Sequence, residues 1–332
     1  MRPSERLSVL DGLRAISILL VLATHMLPLG PKSLRLNETT GAMGMSLFFS
    51  LSGFLIISSL IQNDDVAEFL VKRTTRILPL AYAYALLVFT FIHFNPESAL
   101  WTASLVENYF TTHLNVYNSH FWSLCVEFQF YVFIAVVVLV AGPKGLWIVW
   151  PACLVVTAMR IDQGAYINIE THLRVDEILA GGCVAMLQHR YRFDQHRYLN
   201  AAVVLAAVVW FASSSPFTGW VQYLRPYASA ALLAAVLCHR KTYLAAFLSS
   251  GPMRYIASIS YALYVIHHAT YQEWFDQGTT FERYVLKRPI SFALTFGLAH
   301  LSTFYWERPW LDVGRKWISE RRMRRQTTSH NA

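Results

Sequence analysis

Apolar side chains recur along the chain in long runs, at about 13–30, 43–62, 77–94, 121–141, 145–160, 174–190, 198–213, 223–238, 255–272 and 289–306, separated by short polar stretches. A helix that crosses a membrane needs roughly 20 mostly apolar residues, and most of these runs approach that length. The pattern predicts an all-α, polytopic integral membrane helical bundle of about ten transmembrane helices. One stretch breaks the rhythm. Residues 95–120 (NPESALWTASLVENYFTTHLNVYNSH) are semi-polar and fit an external loop, an interfacial helix or a short re-entrant piece.

Composition sharpens the picture. Of 332 residues 55% are hydrophobic and 14% charged, against about 25% charged in a soluble domain, and the mean hydropathy is +0.36. That excludes a soluble globule. The net charge of +8 is no nucleic-acid signal, because the basic residues lie between apolar runs and build no aromatic-interleaved basic face. They read as topology markers. Arg2, Lys72, Arg73, Arg76, Arg190, Arg192, Arg197, Arg240, Lys241 and a tail running from Arg308 to Arg325 fall on the side that a ten-span path gives to both termini. By the positive-inside rule that side is the cytoplasm. The expected division is a transmembrane domain over 1–309 and a basic, disordered cytoplasmic tail over 310–332 lying against anionic lipid.

Two sequence features exclude simpler readings. The N-terminal MRPSERLSVLDGLRAISILLVLATHM has Asp11 and Arg14 intruding on its apolar run and no small-x-small cleavage site, so it reads as an uncleaved first helix. Cys125, Cys153, Cys183 and Cys238 fall in or beside apolar runs with no metal-ligand spacing, and are expected to be buried free thiols. No metal site is expected.

Polar groups inside the apolar runs carry the functional signal, since an ionisable side chain in lipid costs several kcal/mol unless it is paired or faces water. Arg14 and His25 are eleven residues apart, about 20° past three full turns of a helix and about 16 Å along its axis. They therefore share one face, with a guanidinium at the membrane edge and an imidazole near the midplane. Ser123, Glu127 and Tyr131 follow an i, i+4, i+8 register on another run, and Tyr261, Tyr264 and His267 or His268 lie on a third. Arg174, Asp176 and Glu177 stand at the outer start of a further run, where they could bind sugar hydroxyls or be merely solvated. Ser52 and Gly53 suit a bent or closely packed helix, or a backbone N–H that helps hold an oxyanion, and Gly181 and Gly182 suit close helix packing. Buried His, Glu and Arg could equally pair with one another as interhelical glue.

These residues lie in motifs that, in order, resemble the acyltransferase-3 family of integral membrane O-acyltransferases: LDGLRAISILLVLATH with its Arg-x10-His spacing, SLFFSLSGFLI, RTTRILP, FWSLCVEFQFY, LRVDEILAGG, SISYALYVIHH and WERP. The resemblance spans Asp11 to Pro309. It implies a ten-span enzyme of the plasma (bacterial inner) membrane that takes an acyl group, usually acetyl, from cytoplasmic acyl-CoA to a hydroxyl of a surface polysaccharide, lipid-linked sugar or small molecule. Acyl-CoA is then a donor substrate, and no permanently bound cofactor is expected.

On that reading Arg73 and Arg76, with Arg14, hold the phosphates of coenzyme A, and His25 is the general base. Glu127 orients His25 or receives the acceptor, while Arg174, Asp176, Glu177, Tyr261 and His267 contact the acceptor. Some family members carry an appended soluble esterase-like domain. Here about twenty-five polar residues stand in its place, so its contribution is expected to be absent or to come from a partner such as a glycan-assembly protein. The alternative from another class is a proton-coupled transporter of a small polar substrate, which buried Arg, Glu and His also fit.

Overall fold

The computed structural model describes residues 3–191, 199–238, 242–275 and 277–330; Arg2, Arg192, Arg197, Arg240 and Lys241, which mark topology in the sequence, lie outside the described residues. The helices are α1 (Pro3–Met26), α2 (Leu36–Gln62), α3 (Val66–Leu87), α4 (Pro96–Ser104), α5 (Trp122–Ala141), α6 (Val149–Asp162), α7 (Asp176–Arg190), α8 (Leu199–Ser214), α9 (Arg225–Cys238), α10 (Tyr243–Leu248), α11 (Gly251–Tyr271), α12 (Arg288–Leu301) and α13 (Arg308–His330). Among the described residues there is no strand.

Among the described residues six helical segments are long and apolar enough to cross a membrane: Ser8–Met26, Leu36–Gln62, Val66–Ile92, Ser119–Ala141, Pro143–Asp162 and Gly219–Cys238. The other expected runs fall short for identifiable reasons. Helix α7 has 15 residues, α8 has 16 and α12 has 14, while α11, at 21 residues, carries Arg254, His267 and His268. Apolarity alone therefore supports a multi-pass helical bundle with six clear spans.

The bundle is organised around α7, whose residues Asp176 to Met186 are all buried. It packs on α2, α6 and α9. Helices α2 and α7 touch backbone to backbone, because a Cβ on Gly53 would lie 1.7 Å from the Ile178 carbonyl oxygen and one on Gly181 would lie 1.9 Å from that of Ser50. Small residues at a crossing let two helices gain dispersion contact that lipid cannot supply. Helix α1 runs between α2 and α11, and Ser17 Oγ ties it to α2 through the Gly44 carbonyl at 2.9 Å.

Local chemistry sets the connections. Asp65 caps α3 by accepting from the Ala67 and Glu68 N–H groups, and Asn95 caps α4 by accepting from Ser98 N–H with Pro96 in the first turn. Residues 95–120 form α4 followed by single 3-10 turns at Glu107–Tyr109, Thr111–His113 and Ser119–Phe121. This is a folded cap, with Glu107, Asn108 and Asn118 fully buried.

The C-terminal segment departs from the sequence expectation. Instead of a disordered tail, Arg308–His330 is helical, because its arginines find distant carboxylates. Arg321 Nε lies 3.2 Å from Asp65 Oδ2, Arg325 reaches the same carboxylate, and Arg322 Nη2 lies 2.6 Å from Glu68 Oε2. The helix is thereby pinned to the start of α3.

Candidate active site

Two cavities lie along the face of α1 that carries Arg14 and His25. The first, of about 70 Å³, is lined by Arg14 on α1, Arg73 and Arg76 on α3, Ser52 on α2, Glu127 on α5 and Tyr261 on α11. The second is a wider cleft of about 510 Å³ whose walls include His25, Glu38, His120, Arg174 and His268. Val21, Met45 and Tyr264 line both. Tyr264 thus stands in the partition, stacked on Phe48 at 6.2 Å, donating from its hydroxyl to the His120 carbonyl and 2.5 Å from Ser123 Oγ.

The inner cavity gathers positive charge. Arg73 and Arg76 sit one turn apart on α3, as their i, i+3 spacing predicts, and converge with Arg14. Arg14 keeps one partner, Asp11 at 3.2 Å, and the Arg73 guanidinium lies over the rings of Phe69 and Tyr131 at 5.7 and 5.5 Å. Glu127 supplies the opposing charge and accepts from Ser52 Oγ. Three guanidiniums facing one cavity are chemically suited to an anion of the phosphate type, which guanidinium forks can hold in bidentate fashion.

Glu127 and His25 line different cavities. The expected Glu127–His25 pairing is absent, and among the described residues no carboxylate is hydrogen-bonded to His25. Tyr264, which lines both cavities, and its contacts stand between them. Tyr261 also plays a holding part, donating to the Ile77 carbonyl at 2.5 Å and so joining α11 to α3 at the wall of the arginine cavity.

Around His25 the structure assembles imidazoles. The ring of His25 is 5.3 Å from His267 and 4.9 Å from His268, centroid to centroid, and His120 stacks on His268 at 4.2 Å. His25 is open to the cleft, while His120, His267 and His268 are buried. His267, singled out from the sequence, lies fully buried, and its neighbour His268 lines the cleft. His120 goes unread in the sequence, although it precedes Ser123 and Glu127 by three and seven residues. That register places it on the polar face of α5 continued back by one turn.

The outer charged trio divides. Asp176 and Glu177 are wholly buried in an ion-pair lattice and do not reach the cleft: Arg160 Nη1 lies 2.6 Å from Asp176 Oδ2 and Arg225 Nε lies 2.8 Å from Glu177 Oε1. Both arginines also donate to the Tyr166 carbonyl, at 2.8 and 3.1 Å. Their work is to lock α6, α7 and α9 together. Arg174 is different. Buried over Phe49 and Trp122 and 3.3 Å from Glu177 through Nη2, it leaves Nε and Nη1 without a hydrogen-bond partner at the cleft wall.

Fold and site together define a multi-pass helical bundle with an arginine-lined cavity and an imidazole-lined cleft on one helix face. Residues 7–304 match the acyltransferase-3 family, described as an acyltransferase domain, and with most of its length covered the chain belongs to that family of acyl-transferring enzymes. It is 24% identical over 348 residues to the peptidoglycan O-acetyltransferase OatA of Listeria monocytogenes, covering 90% of this chain and 55% of that protein. It is 26% identical over 312 residues to a Bacillus subtilis protein named "Putative peptidoglycan O-acetyltransferase YrhL", covering 78% of this chain and 48% of that one. The chain therefore spans about half the length of these curated relatives. No solved structure matches it significantly.

Proposed function

We propose that the protein is a ten-span O-acyltransferase of the plasma membrane, with both termini cytoplasmic. It moves an acyl group, acetyl in the first instance, from cytoplasmic acyl-CoA to a hydroxyl of a cell-surface or exported polysaccharide or lipid-linked sugar. Peptidoglycan, the acceptor in the names of its relatives, is the first candidate. The observation that carries the reading is the pair of cavities in line along α1, with three arginines in one and His25 in the other, in a chain of this family.

In this scheme Arg73, Arg76 and Arg14 hold the phosphates of coenzyme A, and the pantetheine arm runs along the α1 face past Val21 and Tyr264 to bring the thioester to His25. The imidazole takes the proton of the acceptor hydroxyl as its oxygen attacks the thioester carbonyl. The C–S bond then breaks, the ester forms, and the proton leaves His25 with the coenzyme A thiolate. A base so placed is worth about 10²–10⁴ in rate. The free Nε and Nη1 of Arg174 are donors for the acceptor or for the developing oxyanion. Glu127 is a positioning residue that offsets the charge of the three guanidiniums.

The test is transfer of labelled acetyl from acetyl-CoA into the envelope glycan fraction, comparing the intact protein with His25→Ala at matched membrane abundance. The reading expects label with the intact protein and a loss of at least 10²-fold with the variant. Equal label in both would sink the His25 mechanism.

A further inference from the structure

Histidines His120, His267 and His268 share one arrangement. Each is anchored by one ring nitrogen to a backbone carbonyl: His120 Nε2 to Val265 O at 3.0 Å, His267 Nδ1 to Tyr264 O at 2.6 Å and His268 Nδ1 to Val116 O at 2.7 Å. A carbonyl oxygen only accepts, so the anchored nitrogen carries the hydrogen and the other nitrogen carries a lone pair; at His268 the Val116 carbonyl at 2.7 Å sets this over the longer 3.3 Å contact with the Gln272 side-chain amide. Those other nitrogens, His120 Nδ1, His267 Nε2 and His268 Nε2, are buried and have no hydrogen-bond partner.

Buried acceptors left unmatched are costly. Three in one cluster, each with its tautomer set by a carbonyl on the far side of the ring, is the second-shell pattern of imidazoles that bind a metal ion. His25 completes the set. One ring nitrogen from each of His25, His267 and His268 lies within 4.8 Å of those of the other two.

We infer that His25, His267 and His268 form a binding site for a divalent transition metal of the zinc class. Three imidazoles at about 2.0–2.1 Å from zinc, with one position open, is an arrangement zinc accepts readily, and it needs the nitrogens roughly 3.3 Å apart by tetrahedral geometry. His25, the ligand exposed to the cleft, supplies the inward rotation, and the open position then faces the cleft, whose Glu38 carboxylate is already paired with Arg35 and leaves that position to solvent or substrate. His120, stacked on His268, holds that ring from behind. The metal and the acceptor's proton would use the same His25 lone pair, so a filled site excludes general-base catalysis by His25. This last consequence rests on the acyl-transfer reading; the binding site does not.

The experiment titrates the purified, detergent-solubilised full chain, stripped with chelator, with Zn²⁺ and with Co²⁺. Bound metal is read by elemental analysis and by the visible absorption of tetrahedral Co²⁺. One equivalent per chain is expected, with affinity at least tenfold weaker in His25→Ala and in His268→Ala, and with acetyl transfer lost on adding Zn²⁺ and restored by chelator. His25→Ala alters an exposed ring and keeps the test sound if His268→Ala fails to fold. Absence of stoichiometric metal, or binding unchanged in His25→Ala, overturns the site. Acetyl transfer in chelator without metal binding would overturn this inference alone. Metal binding without transfer under chelator would uphold it and overturn the acyl-transfer reading.

Discussion

Buried beneath the end of α4, Glu107 accepts from Thr102 Oγ1 at 3.1 Å and Asn118 Nδ2 at 3.2 Å through one oxygen, while its other oxygen meets no partner. Burial pushes its carboxyl up to about 8, against the downward pull of those two donors. The folded cap therefore holds Glu107 protonated at neutral pH. Since the folded pKa lies above the unfolded one, this group's stabilising contribution is fully present below about 4.5 and is lost as pH rises through about 8. Thermal unfolding in detergent is expected to show a midpoint that falls between pH 5 and pH 9, and a flatter profile for Glu107→Gln. Identical profiles would show that Glu107 does not titrate in this window. The same scale explains the division of the outer trio. Asp176 and Glu177 look like candidate sugar ligands in sequence, but the arginines that claim them, Arg160 and Arg225, are 16 and 48 residues away and their approach depends on the fold.

At the scale of elements, the α2–α7 crossing is the tightest constraint. A methyl group at Gly53 would meet the Ile178 carbonyl at 1.7 Å, and backbone cannot yield as a flexible side chain can. Gly53→Ala is expected to cost at least about 1–3 kcal/mol, the usual penalty for overpacking. Gly251→Ala, with nothing within 4 Å of the added carbon, serves as the control. Comparing unfolding midpoints of the two variants checks this, and equal midpoints would mean the crossing is looser than described.

The Arg14–His25 face and the paired Arg73 and Arg76 are legible in sequence because helical period and length alone fix them. Other features are hidden because they depend on long-range contact. Helix α7 is short and carries Asp176 and Glu177, so its central position comes from glycine packing and buried ion pairs rather than apolar length. Helix α13 has a composition suited to a solvated tail, yet it is held by Asp65 and Glu68, more than 250 residues earlier in the chain. His120 lies in the semi-polar stretch before α5, where no apolar period draws attention to it.

At the scale of the whole molecule, the account rests on a division of labour across the Tyr264 partition, with donor phosphates on the arginine side and acceptor hydroxyl on the histidine side. Helices α1, α2 and α11 each line both cavities, and on α1 the Arg14-to-His25 rise of about 16 Å is roughly half the hydrocarbon thickness of a bilayer. On the proposed function, that axis sets the donor and acceptor sites at different depths of the bilayer. The most direct measurement uses sealed proteoliposomes of known orientation, with labelled acetyl-CoA supplied to one face only and a glycan acceptor to the other. The account predicts acetylation across the bilayer when acetyl-CoA meets the arginine side, and loss of that transfer in a double Arg73→Gln, Arg76→Gln variant until acetyl-CoA is raised at least tenfold. Acetylation that occurs only when donor and acceptor share a face would contradict it.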